Sequence, residues 1–149
     1  MKHMLVPRSR VIERLAAVTV LLGFLSYAYS FVEGSVNPVM GELKITDIHD
    51  DSRDEFGVIF DGTASKLRDC TWVESRWYIG TRSGSNVRTL WSYSGKPRQR
   101  DVGELEWTDM TARMTQWELV NNSFADVVHD CRWSPWPVVT PFYTAVPPS

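Results

Sequence analysis

Three observations predict a mainly β protein carried on one N-terminal apolar helix. An uncharged run, Leu15 to Val32, is long enough to cross a bilayer. The roughly 115 residues after it contain short stretches of alternating apolar and polar residues, separated by Gly, Asn, Asp and Pro turn signals. All seven Trp lie in that later part, an aromatic load suited to strands and to a two-layer β core.

The run LAAVTVLLGFLSYAYSFV would extend roughly 27 Å as an α-helix, close to the thickness of a hydrocarbon core. Tyr27, Tyr29 and Phe31 crowd its far end, where amphipathic rings favour the headgroup region, and Glu33 and Gly34 close it. Lys2, Arg8, Arg10 and Arg14 on the near side oppose a single acid, Glu13. This excess of positive charge places the N-terminus in the cytoplasm and everything after Glu33 outside it. The alternative is a cleavable signal peptide and a secreted product, since Ser26-Tyr27-Ala28 offers small residues at the two positions a signal peptidase reads. The run is longer than a usual signal-peptide core and ends in large aromatics, which favours a retained signal-anchor.

The chain thus divides into a basic cytoplasmic N-terminus (1–14), a transmembrane helix (15–32), a linker (33–41), an extracytoplasmic β-domain (42–144) and a disordered tail (145–149). Strands are predicted over Glu42 to Ile48 and Phe56 to Phe60, the second closed by an Asp61-Gly62 turn. Leu67 to Gly80 reads as a long segment whose parity breaks near Ser75, through a bulge or a new strand. Val87, Thr89, Trp91 and Tyr93 alternate as one strand after the Ser83-Gly84-Ser85-Asn86 turn. Leu105 and Trp107 mark a further strand, and Gln116 to Val120 another, although Met110 to Leu119 also has the spacing of a short helix. Ala125 to Trp133 and Val138 to Tyr143 complete the set, the last interrupted by Pro141 and so placed at an edge.

Seven or eight short strands with turn signals between them predict an immunoglobulin-like antiparallel β-sandwich. The immunoglobulin signature is only half present. Cys70 and Cys131 have the spacing of an inter-sheet bridge, yet no Trp sits at the customary distance in the next strand, and His129 stands where a tyrosine corner would put Tyr. The prediction is therefore of architecture, not of superfamily. A Cys70–Cys131 disulfide is expected on the exported side, tying the two sheets together between Trp72 and Trp133.

Composition excludes several activities. From Glu33 onward there are twelve Lys and Arg against seventeen Asp and Glu, which argues against nucleic acid as a partner. No CxxC, CxxCH or Cys/His cluster is present, so zinc ribbons and covalent haem attachment are excluded and no cofactor is expected. The loop residues Asp47, His49, Asp50, Asp51, Asp54 and Glu55 offer hard oxygen ligands to Ca²⁺ but lack EF-hand spacing, and a solvated loop accounts for them. His129 and Cys131 lie two apart on one strand face, as a thiolate–imidazole pair would, but a disulfide would consume the thiol.

Two binding surfaces remain. Lys96, Arg98 and Arg100 alternate along SGKPRQR and suit anionic headgroups or an acidic partner, or else protect a sheet edge. Trp133 and Trp136, in WSPWP, suit stacking on sugars or a protein partner if exposed, and the core if not.

With its basic N-terminus, one span, Arg68-Asp69-Cys70 in the first half of the domain and His129-Asp130-Cys131 followed by Trp133 near the end, the chain resembles small single-span membrane proteins of unknown function encoded by tailed bacteriophages and prophages. The resemblance implies a bacterial inner membrane and a periplasmic domain, and brings no catalytic residues with it. The expected function is non-enzymatic: a bitopic protein held in the lipid bilayer by Leu15 to Val32, whose domain binds a protein or envelope component. A glycan-binding module using Trp133 and Trp136 is the alternative.

Overall fold

The computed structural model describes residues 8–49, 57–93 and 101–145. Asp50, Asp51, Asp54 and Glu55, the cations Lys96, Arg98 and Arg100, and the tail from Val146 lie outside the described residues.

The first element, α1, spans Arg8–Val36 and is longer at both ends than the uncharged run. Four of its hydroxyls bond back to the helix: Thr19 donates to the Leu15 carbonyl, Ser26 to Leu22, Ser30 to Ser26 and Ser35 to Phe31. A helix in an apolar medium needs such internal partners, because no water is there to supply them. Val18, Leu22, Phe24 and Leu25 project outward and are exposed among the described residues, and Arg10–Val36 is long and apolar enough to span a membrane.

Among the described residues after α1, the strands form two four-stranded antiparallel sheets. One consists of β1 (Lys44–His49), β2 (Val58–Lys66), β6 (Gly103–Ala112) and β5 (Trp91–Tyr93), in the order β1-β2-β6-β5. The other consists of β4 (Asn86–Thr89), β3 (Thr71–Gly80), β7 (Ser123–Asp130) and β8 (Val138–Thr144), in the order β4-β3-β7-β8. A short helix, α2 (Gln116–Asn121), joins β6 to β7.

The larger of two buried clusters among the described residues lies between the sheets. Strand β2 alternates strictly, turning Val58, Phe60, Ala64 and finally Lys66 inward. Trp77 of β3, only 1 % exposed, meets Phe60 of the opposite sheet edge to face at 5.4 Å, and Trp107 meets Phe142 at 5.8 Å in the same way. Burying rings of this size supplies much of the area that holds two sheets together.

Several local outcomes differ from the sequence reading. Asp61-Gly62 does not end β2 but lies inside it, because a turn signal within an alternating strand can instead mark a bulge. The parity break in Leu67 to Gly80 is a bulge at Val73 within one strand. The predicted strand from Val87 to Tyr93 breaks at Leu90, with β4 pairing β3 in one sheet and β5 pairing β6 in the other. Gln116 to Val120 is helical: Thr115 and Glu118 form a reciprocal capping box, the Thr115 hydroxyl accepting from the Glu118 amide at 3.2 Å and the Glu118 carboxylate from the Thr115 amide at 2.7 Å.

The Cys70–Cys131 disulfide is present, in a different place from the one expected. It joins the start of β3 to the end of β7, neighbouring strands of one sheet, just beyond the Thr71–Asp130 pair. It therefore closes the end of a ladder and does not bridge the sheets.

Candidate functional site

The end of the β-domain at which α1 arrives gathers the largest share of the sequence-predicted residues. Gly34 is buried against β8, where an added Cβ would lie 1.8 Å from the Val139 carbonyl oxygen. Glu33 accepts from Arg68 at 3.1 Å, and the same guanidinium nitrogen donates to the Asn37 carbonyl at 2.7 Å. The stretch expected as a linker is built into the fold. Val39 donates to the Thr140 hydroxyl, its carbonyl accepts from Leu67, Gly41 donates to Ser65, and Leu43 to Phe142. Val39 also packs with Cys70, Cys131 and Val138 in a second buried cluster. Three residues after α1 ends, at Val39, the chain is already buried in the domain.

The turn between β7 and β8 rises from this cluster. Ser134 donates its amide to the Cys131 carbonyl at 2.9 Å and its hydroxyl to the Trp136 carbonyl at 2.6 Å, which fixes the turn. Trp133 is 86 % exposed and Trp136 46 % exposed, so neither ring is core and Trp133 does not cover the disulfide. The Arg132 guanidinium lies 5.4 Å from the centre of the Trp133 ring, within cation–π reach. Leu67, directly after β2, and Val102, directly before β6, are exposed at this same end, since Lys66 and Gly103 are cross-strand partners.

Behind the turn lie two buried polar side chains. Lys66, 4 % exposed, sits 3.9 Å from Asp69. His129, 2 % exposed, has no hydrogen-bond partner at Nδ1 among the described residues. Burial, reinforced by the Lys66 charge, pushes its pKa down to about 4, so the ring is neutral at pH 7. The cysteine two residues on is oxidised, which leaves no thiolate for this imidazole to activate.

A second constellation lies on the other sheet. His49 of β1, Asp61 of β2 and Asp109 of β6 each place one ligand atom within 4.8 Å of the others. His49 Nε2 and Asp61 Oδ2 are 3.1 Å apart, and the Asp109 amide donates to Asp61 Oδ1 at 2.9 Å. Register shifts in both ladders flank Asp61, and Asp109 adopts φ +56°, a left-handed conformation open to Asp through its short polar side chain. The hydrogen bond that His49 donates to the Asp61 carboxylate raises the His49 pKa, while the Asp109 amide and then His49 lower that of Asp61. One imidazole and two carboxylates are a donor set for a divalent cation. Of the acidic loop named from the sequence, Asp47 and His49 come to this place, with His49 Nδ1 4.0 Å from Asp47. Asp61 and Asp109 carried no local sequence signal, since only strand pairing makes them neighbours.

The fold and these sites define a two-sheet antiparallel β-domain seated on one apolar helix. No known protein family, curated protein or solved structure matches the chain.

Proposed function

We propose that the protein is a non-enzymatic, single-span membrane protein, with its N-terminus in the cytoplasm and an immunoglobulin-like sandwich outside it that binds a protein or other envelope component. The observation that carries the reading is α1: a 29-residue helix with exposed apolar side chains, four of its hydroxyls bonded back to the helix, running directly into the β core. Arg10 and Arg14 at its start and a disulfide beyond its end support one orientation by independent physics, charge bias on one side and an oxidising compartment on the other.

The immunoglobulin-like reading draws on strand order. Labelling β1 to β8 as A, B, C, C′, D, E, F and G makes one sheet A-B-E-D and the other C′-C-F-G, the arrangement of constant-type domains with one added edge strand. The buried Trp77 on the third strand supports it too, whereas the disulfide differs in joining C to F instead of B to F.

A bacterial inner membrane, a periplasmic domain and a phage-encoded change to the host envelope complete the proposal, resting on the resemblance carried by Arg68-Asp69-Cys70 and His129-Asp130-Cys131. Glycan binding is the second reading, favoured by the exposure of Trp133, although Arg132 lies against that ring.

A phosphatase reporter fused after Tyr143 tests the topology: activity there, and none when it is fused after Arg10, is the expected result, and the reverse pattern overturns the proposal. In-cell crosslinking of the full chain then identifies what the domain holds.

A further inference from the structure

We infer that the Trp133–Trp136 turn is a membrane-interface anchor, its occupant the headgroup layer of the same bilayer that α1 crosses. The inference rests on the reading of α1 as a span and assigns the partner of the tryptophan surface within it.

The argument begins with height. Between Arg14 and Glu33 the helix carries no charge, so the hydrocarbon core accommodates that stretch and its outer boundary falls near Glu33 and Gly34. Gly34 lies against Val139, which puts the beginning of β8 at the same level. Trp136 precedes Val139 by three residues, at most about 10 Å of chain. Val39 meets Thr140 and Leu43 meets Phe142, so β8 advances with the chain that leaves α1, and the turn before Val138 lies on the side of the helix. With Val139 at the boundary between hydrocarbon and headgroups, a fixed turn just to its membrane side sits at the inner edge of the headgroup zone, the level at which tryptophan rings collect.

The chemistry of the turn fits that layer. Tryptophan concentrates at bilayer interfaces because its ring is apolar while its N–H seeks a polar partner. Arg132 beside Trp133 supplies a cation for lipid phosphate. Leu67 and Val102 add exposed apolar side chains at the same end of the domain. No free hinge separates the two: Glu33, Asn37, Val39, Gly41 and Leu43 all bond into the domain, so the turn cannot swing away from the surface by flexing a linker. A protein partner at Trp133 would have to fit between the domain and the bilayer.

The test uses the full chain reconstituted in vesicles of phosphatidylcholine and phosphatidylglycerol containing a lipid spin-labelled near the headgroup. Trp133→Phe with Trp136→Phe should remove about half or more of the lipid-quenchable tryptophan emission, as expected for rings placed in the interface. Trp117→Phe, which changes an exposed ring of α2 at the opposite end, should leave that quenching as it is. Flotation with the vesicles reads the span separately. Protein that fails to float overturns the proposed membrane reading, and the inference with it. Protein that floats but shows equal quenching in the double variant and the parent overturns the interface anchor alone, whether water or a bound protein occupies the turn.

Discussion

Gly34 of α1 and the carbonyl of Val139 are in such close contact that only a residue without a Cβ fits between helix and strand. Gly23, in the middle of the same helix, has open space around it. Gly34→Val should therefore displace the helix end from β8 and cost about 1–3 kcal/mol by overpacking, while Gly23→Ala costs nothing. Thermal unfolding of the full chain in detergent measures both; an unchanged midpoint for Gly34→Val would mean that the helix and domain are not seated on each other.

The Cys70–Cys131 bridge closes a long loop between neighbouring strands, and in the chain-entropy model a closure of this length stabilises by about 4 kcal/mol. Reduction should lower the melting temperature sharply. The damage should start locally, with amide exchange rising first at Thr71, Trp72 and Asp130, where the ladder loses its end clamp, and last around Phe60 and Trp77. Unreduced peptide mapping of protein taken from its native compartment checks the bond itself, and free thiols on both residues would refute it.

His129 gives the fold a pH dependence with a definite sign. Its folded-state pKa of about 4 lies below the ordinary 6.5, so the unfolded chain binds the proton more readily. Its contribution is fully present above about pH 6.5, declines as the pH falls between there and about 4, and amounts to about 3 kcal/mol in all. Asp61 and Glu74, whose pKa values are lowered by their hydrogen bonds, lose stability over a more acidic range. Urea unfolding at pH 7.5 and pH 4.5 should therefore show a smaller difference for His129→Leu than for the parent. An equal difference would show that the ring is not buried neutral.

At the exposed His49 the shift runs the other way, upward, because Asp61 accepts a hydrogen bond from the imidazolium. Asp61→Asn should bring the His49 titration midpoint back toward the ordinary value, as followed by NMR of the imidazole carbon protons. It should also release the Asp109 amide, which donates to the same carboxylate. No movement of the midpoint would separate the two side chains.

The apolar helix was legible from Leu15 to Val32 alone, because eighteen uncharged residues in a row set its length and character without reference to any other part of the chain. The sequence also determined that strands follow, since alternation such as Val58, Phe60 in β2 needs only local side-chain direction to be read. It held the capping box of α2, Thr115 with Glu118, though the apolar spacing around it pointed equally to a strand. Alternation tells which residues share a face and is silent about which strands are neighbours. That is why the disulfide was legible as a pair while its place within one sheet was not, and why the break at Leu90 that sends β4 and β5 to different sheets left no mark. The two tryptophans that follow the Asp-Cys repeats show the same limit: Trp72 packs on the core and Trp133 stands in the open, because β3 continues past its cysteine and β7 ends before its own. Tertiary structure alone decided the meeting of His49, Asp61 and Asp109, the burial of Lys66 beside His129, and the seat of Gly34 on β8, since each depends on the free energy of packing elements far apart in the chain.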